Sequence, residues 1–190
     1  METSGTCAPS LIERLDLATG EDCFQAITTC VKDALIEAVR SGEMQLPESV
    51  TRPCSEGYGR RLLHRDPAGR YTVVAMIWGE GQGTPIHDHD SMWCVECVYS
   101  GEILVTSYEL CPSSKGEDVQ FDCCGSTRAA LGQAGALIPP HDYHVIENTA
   151  AETAVTIHVY GGEMAACNVY LPNAEGTGYR LTRKHLTYDD

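Results

Sequence analysis

From about residue 55 onward the chain is a succession of short apolar runs broken by turn signals, and this rhythm restricts the fold more than any other feature. The runs are YTVVAMIW, MWCVECVY, EILVTSYEL, ALIPP, AVTIHVY, CNVYLP and GYRLTRKHLTY. DPAG at 66–69 has the composition of a turn. Short strands at close intervals with no helical pattern between them predict a β-sandwich or barrel. The first 42 residues read differently. Ser10-Leu-Ile-Glu13 matches a capping box and predicts the start of a first helix. In EDCFQAITTCVKDALIEAVRSG the residues Cys23, Phe24, Ile27, Cys30, Val31, Leu35, Ile36 and Val39 recur at helical spacing, with Ser41-Gly42 as the stop. The expected architecture is one mainly β domain over 1–190, with a helical segment at about 10–42 and a small β-barrel at about 57–190. CPSSKGED (111–118) is expected to be a solvated loop.

Bulk charge limits the partners. A net charge of −14 repels a polyphosphate and an anionic membrane surface alike, so nucleic acid and membranes are not expected partners. The N-terminal residues show neither a basic start nor an apolar run of signal length, and no stretch approaches 18 apolar residues. With ten irregularly spaced cysteines, this predicts reduced thiols in the cytoplasm. A monomer is the expected state.

The chemistry concentrates in GQGTPIHDHDSMWC (81–94). On a strand, His87 and His89 point to one face and Asp88 to the other, so the two imidazoles can chelate one ion. The candidates for a third ligand are His141, His144 and His158. Gly81 lies six residues before His87 and Gly101 seven after Cys94, followed at a distance by Pro139, His144 and Asn148. This spacing resembles the two halves of the cupin motif and favours His144, by its H-x-x-x-N continuation. The usual acidic ligand of that motif is replaced here by Cys94. Three neutral imidazoles leave a divalent ion its full double charge, which attracts an anionic ligand such as a thiolate.

WGEGQGTPIHDH (78–89) is similar to the signature of the cysteine dioxygenase family, cupin-fold non-haem iron enzymes that oxidise thiols. The resemblance runs from about Tyr58 to Cys167. It implies iron(II) on His87, His89 and His144, and dioxygen and a small thiol amino acid as substrates. Cys94 falls where some members carry a cysteine joined by a thioether to a tyrosine, here Tyr160. Thr156, His158 and Tyr160 match the family's Ser-His-Tyr row with threonine for serine, and they share one strand face. Arg60 matches the arginine that grips the substrate carboxylate, with Tyr58 beside it in the pocket; Arg61 should point the opposite way. The resemblance implies conversion of L-cysteine to cysteine sulfinic acid. Dioxygenation of 3-mercaptopropionate or mercaptosuccinate, a zinc or manganese cupin isomerase, and a non-enzymatic binding cupin remain as alternatives. Related mercaptopropionate enzymes tend to carry glutamine at the Arg60 position. The roles of Glu96, on the face of Cys94, and of His141 stay open, and Cys167 matches a cysteine near the family's pocket entrance.

Overall fold

The computed structural model describes residues 7–112 and 118–189. Three helices come first: α1 (Pro9–Ala18), α2 (Phe24–Arg40) and α3 (Glu48–Thr51). Twelve described strands follow: β1 (Gly59–Arg65), β2 (Thr72–Trp78), β3 (Ile86–His87), β4 (Cys94–Ser100), β5 (Glu102–Leu110), β6 (Asp118–Val119), β7 (Phe121–Ala130), β8 (Ala134–Leu137), β9 (His144–Glu147), β10 (Ala154–Tyr160), β11 (Ala166–Pro172) and β12 (Tyr179–His185). They form two antiparallel sheets, one in the order β1-β2-β10-β4-β8 and the other β6-β12-β11-β3-β9-β5-β7.

The mainly β cupin expectation holds, with one correction: the sheets do not close into a barrel. The outer edge of β1 is taken by the C-terminal residues instead of a strand. The amide of Asp189 donates to the carbonyl of Arg60 at 2.8 Å, and the amide of Arg60 donates to the Asp189 carboxylate at 2.6 Å. An edge satisfied in this way has no need of a further strand. The chain passes from one sheet to the other at Gly101, whose φ is +73° and where a Cβ would lie 2.8 Å from the Cα of Ala154. Only glycine fits both demands.

β2 and β10 are buried along their whole length because both of their faces are covered. On one face Val73, Ala75, Ile77, Val155, Ile157 and Val159 pack with Leu11, Leu15, Val31 and Leu35 from α1 and α2. On the other, Val74, Met76, Trp78 and Tyr160 meet Ile103, Ile146 and Val169 from the second sheet. Strand alternation sorts one sequence into two layers of core.

Helix α2 buries Ile27, Val31, Leu35 and Val39 of its expected face, together with Ala34 and Ala38, but Cys23, Phe24 and Cys30 at its N-terminal end are exposed; Gly42 terminates it with φ +74°. The capping box does not form. Ala8 is the N-cap of α1, Pro9 opens the helix, and the Ser10 hydroxyl donates to the Glu43 carboxylate. Proline's fixed φ suits the first helical position, which moves the start ahead of Ser10. Strand β7 was not among the expected runs: FDCCGSTRAA is mostly exposed on a sheet edge and shows no apolar alternation. Most of the loop expected at 111–118 lies outside the described residues. None of the described helices is long and apolar enough to cross a membrane.

Candidate metal centre

The pairing of β3 with β9 sets His87 directly opposite His144. After His87 the chain leaves the strand. The amide of Asp88 donates to Asn168 at 3.1 Å, and Asp90 and Ser91 adopt φ of +54° and +66°. This irregular turn brings His89 back to the other two imidazoles, while the Asp88 carboxylate faces away and accepts from Asn168. The potential ligand atoms of His87, His89 and His144 all lie within 4.8 Å of one another. His144 is fully buried whereas His141 is exposed, so the structure brings His144 into the cluster.

The far nitrogens of these rings determine what the near ones can do. His87 Nδ1 lies 3.2 Å from the carbonyl of Pro85. His89 Nδ1 lies 3.1 Å from the Asp142 carboxylate, whose same oxygen accepts the His89 amide at 3.0 Å. A carbonyl or carboxylate only accepts, so each of these Nδ1 atoms carries the hydrogen and each Nε2 presents a lone pair. Burial pushes the His87 imidazole down to about 3, with the neighbouring His89 adding to the shift, and burial holds His144 far below the usual histidine range. The His87 and His144 rings are therefore neutral at pH 7. His87 Nε2 and His144 Nε2 are 3.2 Å apart. His87 Nε2 can accept a hydrogen bond from the Nε2–H of His144 at that distance; with the His144 hydrogen on Nδ1 instead, both nitrogens offer lone pairs that one cation can bridge, so the three residues suit a metal ion. Imidazole nitrogens alone accept iron, zinc, copper or nickel.

Beside the cluster runs the inward face of β10. Thr156, His158 and Tyr160 stand opposite Val98, Glu96 and Cys94 of β4. The indole of Trp78 donates to the Thr156 hydroxyl at 2.9 Å, and Thr156 Oγ1 lies 2.8 Å from His158 Nε2. A hydroxyl that accepts from the indole has its own hydrogen free for the imidazole. His158 Nδ1 then faces Cys94 Sγ at 3.9 Å and Glu96 Oε2 at 3.8 Å. Among the described residues no hydrogen bond joins His158 to Tyr160; their rings stack at 5.8 Å. Burial, reinforced by the carboxylate of Glu96, raises the Cys94 thiol well above its ordinary range; burial, reinforced by the thiol itself, does the same to the Tyr160 phenol.

Arg60 and Arg61 part as adjacent strand residues must. Arg61 donates to the carbonyls of Val50 and Arg52 at 2.6 and 2.8 Å, toward α3. Arg60 is 4% exposed, lies over the Tyr188 ring at 4.5 Å, and donates to the carbonyl of Met164 at 2.7 Å. A narrow cavity between the sheets is lined by Tyr58, Arg60, His87, His158, Tyr160 and Cys167. Burial pushes the Cys167 thiol up to about 11. Cys97 faces the helices, so Cys94 and Cys97 do not share a side. Glu96 lies behind the imidazoles, where burial pushes its carboxyl up to about 8.

Sequence reading missed three contributors. Lys184 lines the same cavity and donates to the Tyr58 hydroxyl at 3.1 Å. Trp78 closes an apolar run and gave no hint of its bond to Thr156. Asp142, two residues before His144, was visible as an acid inside a histidine pair, but its contact with His89 spans 53 residues.

The family model for cysteine dioxygenase type I matches residues 35–172. The chain belongs to this family. It is 27% identical over 137 residues to cysteine dioxygenase type 1 of Danio rerio, covering 67% of this chain and 61% of the relative. It is 27% identical over 115 residues to the protein of the same name from Homo sapiens, covering 60% of this chain and 55% of the relative. The chain thus spans a little over half the length of these family members. Among solved structures, a protein with a double-stranded β-helix domain from Klebsiella pneumoniae aligns with a TM-score of 0.46 and 18% identity, over 72% of this chain and 94% of that one.

Proposed function

We propose that this chain is an iron(II)-dependent thiol dioxygenase that converts L-cysteine and dioxygen to cysteine sulfinic acid. The observation that carries the reading is one narrow cavity lined both by His87 of the imidazole cluster and by Arg60. Iron(II) held by His87, His89 and His144 would supply open positions for the thiolate and for dioxygen. The remaining roles belong to the protein. Arg60, nearly excluded from water, binds the substrate carboxylate and fixes where the sulfur sits. Tyr160, kept a neutral phenol by burial, donates a hydrogen bond to the bound substrate. Thr156 holds His158 from one side while Tyr58 walls the cavity. The thiol supplies the electrons: RSH + O2 gives RSO2H, so no external reductant is needed.

Cys94 and Tyr160 are cross-strand partners on the inward face, a placement that puts neighbouring Cβ atoms about 5 Å apart. We infer a thioether between them. The new C–S bond replaces one S–H and one C–H, and the two protons and two electrons released pass to dioxygen, giving hydrogen peroxide. Peptide mass spectrometry tests this by a loss of two hydrogens in a fragment joining the two residues.

Lys184 favours a second reading. Two cations in one cavity suit a thiol with two carboxylates, such as mercaptosuccinate. Oxygen uptake with cysteine, 3-mercaptopropionate and mercaptosuccinate, with metal content measured in the same preparation, decides. Cysteine is expected to turn over fastest. Faster turnover of a thiol without an amine overturns the assignment, and firmly bound zinc with no thiol-dependent oxygen uptake favours an isomerase instead.

A further inference from the structure

We propose that Glu96 is a positioning residue that orients His144, and with it His158, from behind the metal centre. The inference rests on the metal-centre reading above. His87 and His89 each have an acceptor on Nδ1, from Pro85 and Asp142. His144 Nδ1 is buried without a hydrogen-bond partner, and so is Glu96 Oε2. The acidic group that faces this orphaned nitrogen is the Glu96 carboxyl: Oε1 lies 4.0 Å from His144 Nδ1, and Oε2 lies 3.8 Å from His158 Nδ1. If His144 gives its Nε2 lone pair to an ion, its Nδ1 must carry the hydrogen, and that hydrogen points toward Glu96 Oε1.

The remaining gap is about 1 Å longer than a hydrogen bond, and the structure leaves room to close it. A cavity of about 240 Å³ adjoins Glu96, walled by Val98, Ile103, Ala129, Ala134 and the bare backbone of Gly135. At Gly135 a Cβ would lie 3.8 Å from Glu96 Oε1. The polar groups on that side are engaged elsewhere: Gln133 accepts from the amide of Ala130, and Arg128 donates to Glu102 and Thr149. Thr127 and Thr156 also line this cavity, but among the described residues no hydrogen bond reaches Glu96 Oε2, and the Thr156 hydroxyl is taken by Trp78 and His158. A leucine at this position would meet the same neighbours without the desolvation cost of an acid. The carboxyl therefore opposes stability and serves the centre.

The test is anaerobic titration of the metal-free protein with Co2+, read by its visible absorption bands, for wild type, E96L, E96Q and H144A, together with thermal unfolding of each metal-free form. E96L is expected to weaken Co2+ binding about 10- to 100-fold and to shift the bands, with an unfolding temperature equal to or above wild type. E96Q keeps an acceptor oxygen and should restore most of the affinity. Unchanged affinity and bands in E96L overturn the inference, as does an E96Q that folds but restores nothing. Should E96L not fold, E96M takes its place with the same expectations. Equal Co2+ binding by wild type and H144A would instead overturn the metal centre itself, so the two failures are distinguishable.

Discussion

The two faces of β10 are made from alternating residues of one seven-residue strand, yet they obey different rules. Val155, Ile157 and Val159 look toward the helices and pack in a cluster of apolar side chains. Thr156, His158 and Tyr160 look between the sheets and meet an indole, a thiol and a carboxyl. Both sets are buried, with Ile157 at 0% and His158 at 2% exposure. Burial therefore does not distinguish core from site here; what distinguishes them is that the inward face carries polar atoms whose placement toward one another matters. On the helix side volume alone matters, so apolar residues of similar size are interchangeable. Between the sheets the Thr156 hydroxyl joins the Trp78 indole to the His158 imidazole, so loss of that one oxygen breaks two bonds.

The contrast can be broken most severely at the metal cluster. Replacing His144 with alanine removes a buried imidazole from the centre and is expected to lower thiol-dependent oxygen uptake by about 1000-fold or more, since the reaction then lacks its metal. Bound iron, measured in the same sample, should fall with it. Retention of both iron and uptake would remove His144 from the ligand set.

On the helix side the expected loss is in folding alone. Ile157→Ala empties space in a fully buried layer and should cost about 2–5 kcal/mol of stability, seen as a lower midpoint in urea. Activity per folded molecule should be unchanged. If kcat falls without a fall in stability, the two faces are not separable in the way their packing suggests.

Arg60→Ala sharpens the contrast within the cavity. Loss of a charge-assisted contact with a carboxylate should lower kcat/KM for cysteine by about 100-fold, roughly 2–3 kcal/mol. Cysteamine has no carboxylate, and its turnover should change far less. Equal losses for both thiols would mean that Arg60 supports the fold through Met164 and Tyr188 and does not read the substrate.

How much of this was legible beforehand follows the same division. The helix-facing residues announced themselves by period, and so did α2. The inward face of β10 was legible as T-x-H-x-Y, because polar residues at every second position of a strand all face one way. Alternation said only that Arg60 and Arg61 point opposite ways, as their contacts show; the choice of Arg60 came from the family resemblance and from Tyr58 on the same face. What escaped depended on contacts between distant segments. Asp142 meets His89 only because the turn after β3 folds back, and the C-terminal residues take the edge of β1 across more than 120 positions. Closure of the sheets, the start of α1 and the exposed strand β7 were misjudged for a related reason. Each is decided by what happens at an edge or end, where local composition is least informative.

The smallest expected effect is also the finest probe of the site-facing side. Thr156→Val keeps the shape of the side chain and deletes one oxygen, leaving the Trp78 indole N–H and His158 Nε2 without their shared partner. A buried donor stranded in this way costs about 1–3 kcal/mol, so the unfolding midpoint should drop. Freed from Thr156, His158 is no longer held with Nδ1 toward Glu96 and Cys94, and kcat is expected to fall about 10-fold with KM little changed. Thr156→Ser keeps the hydroxyl and should restore kcat, even if the missing methyl leaves a small stability deficit. If valine and serine lower kcat equally, the lost property is packing, and the site-facing side of β10 would be governed by volume, as the helix-facing side is.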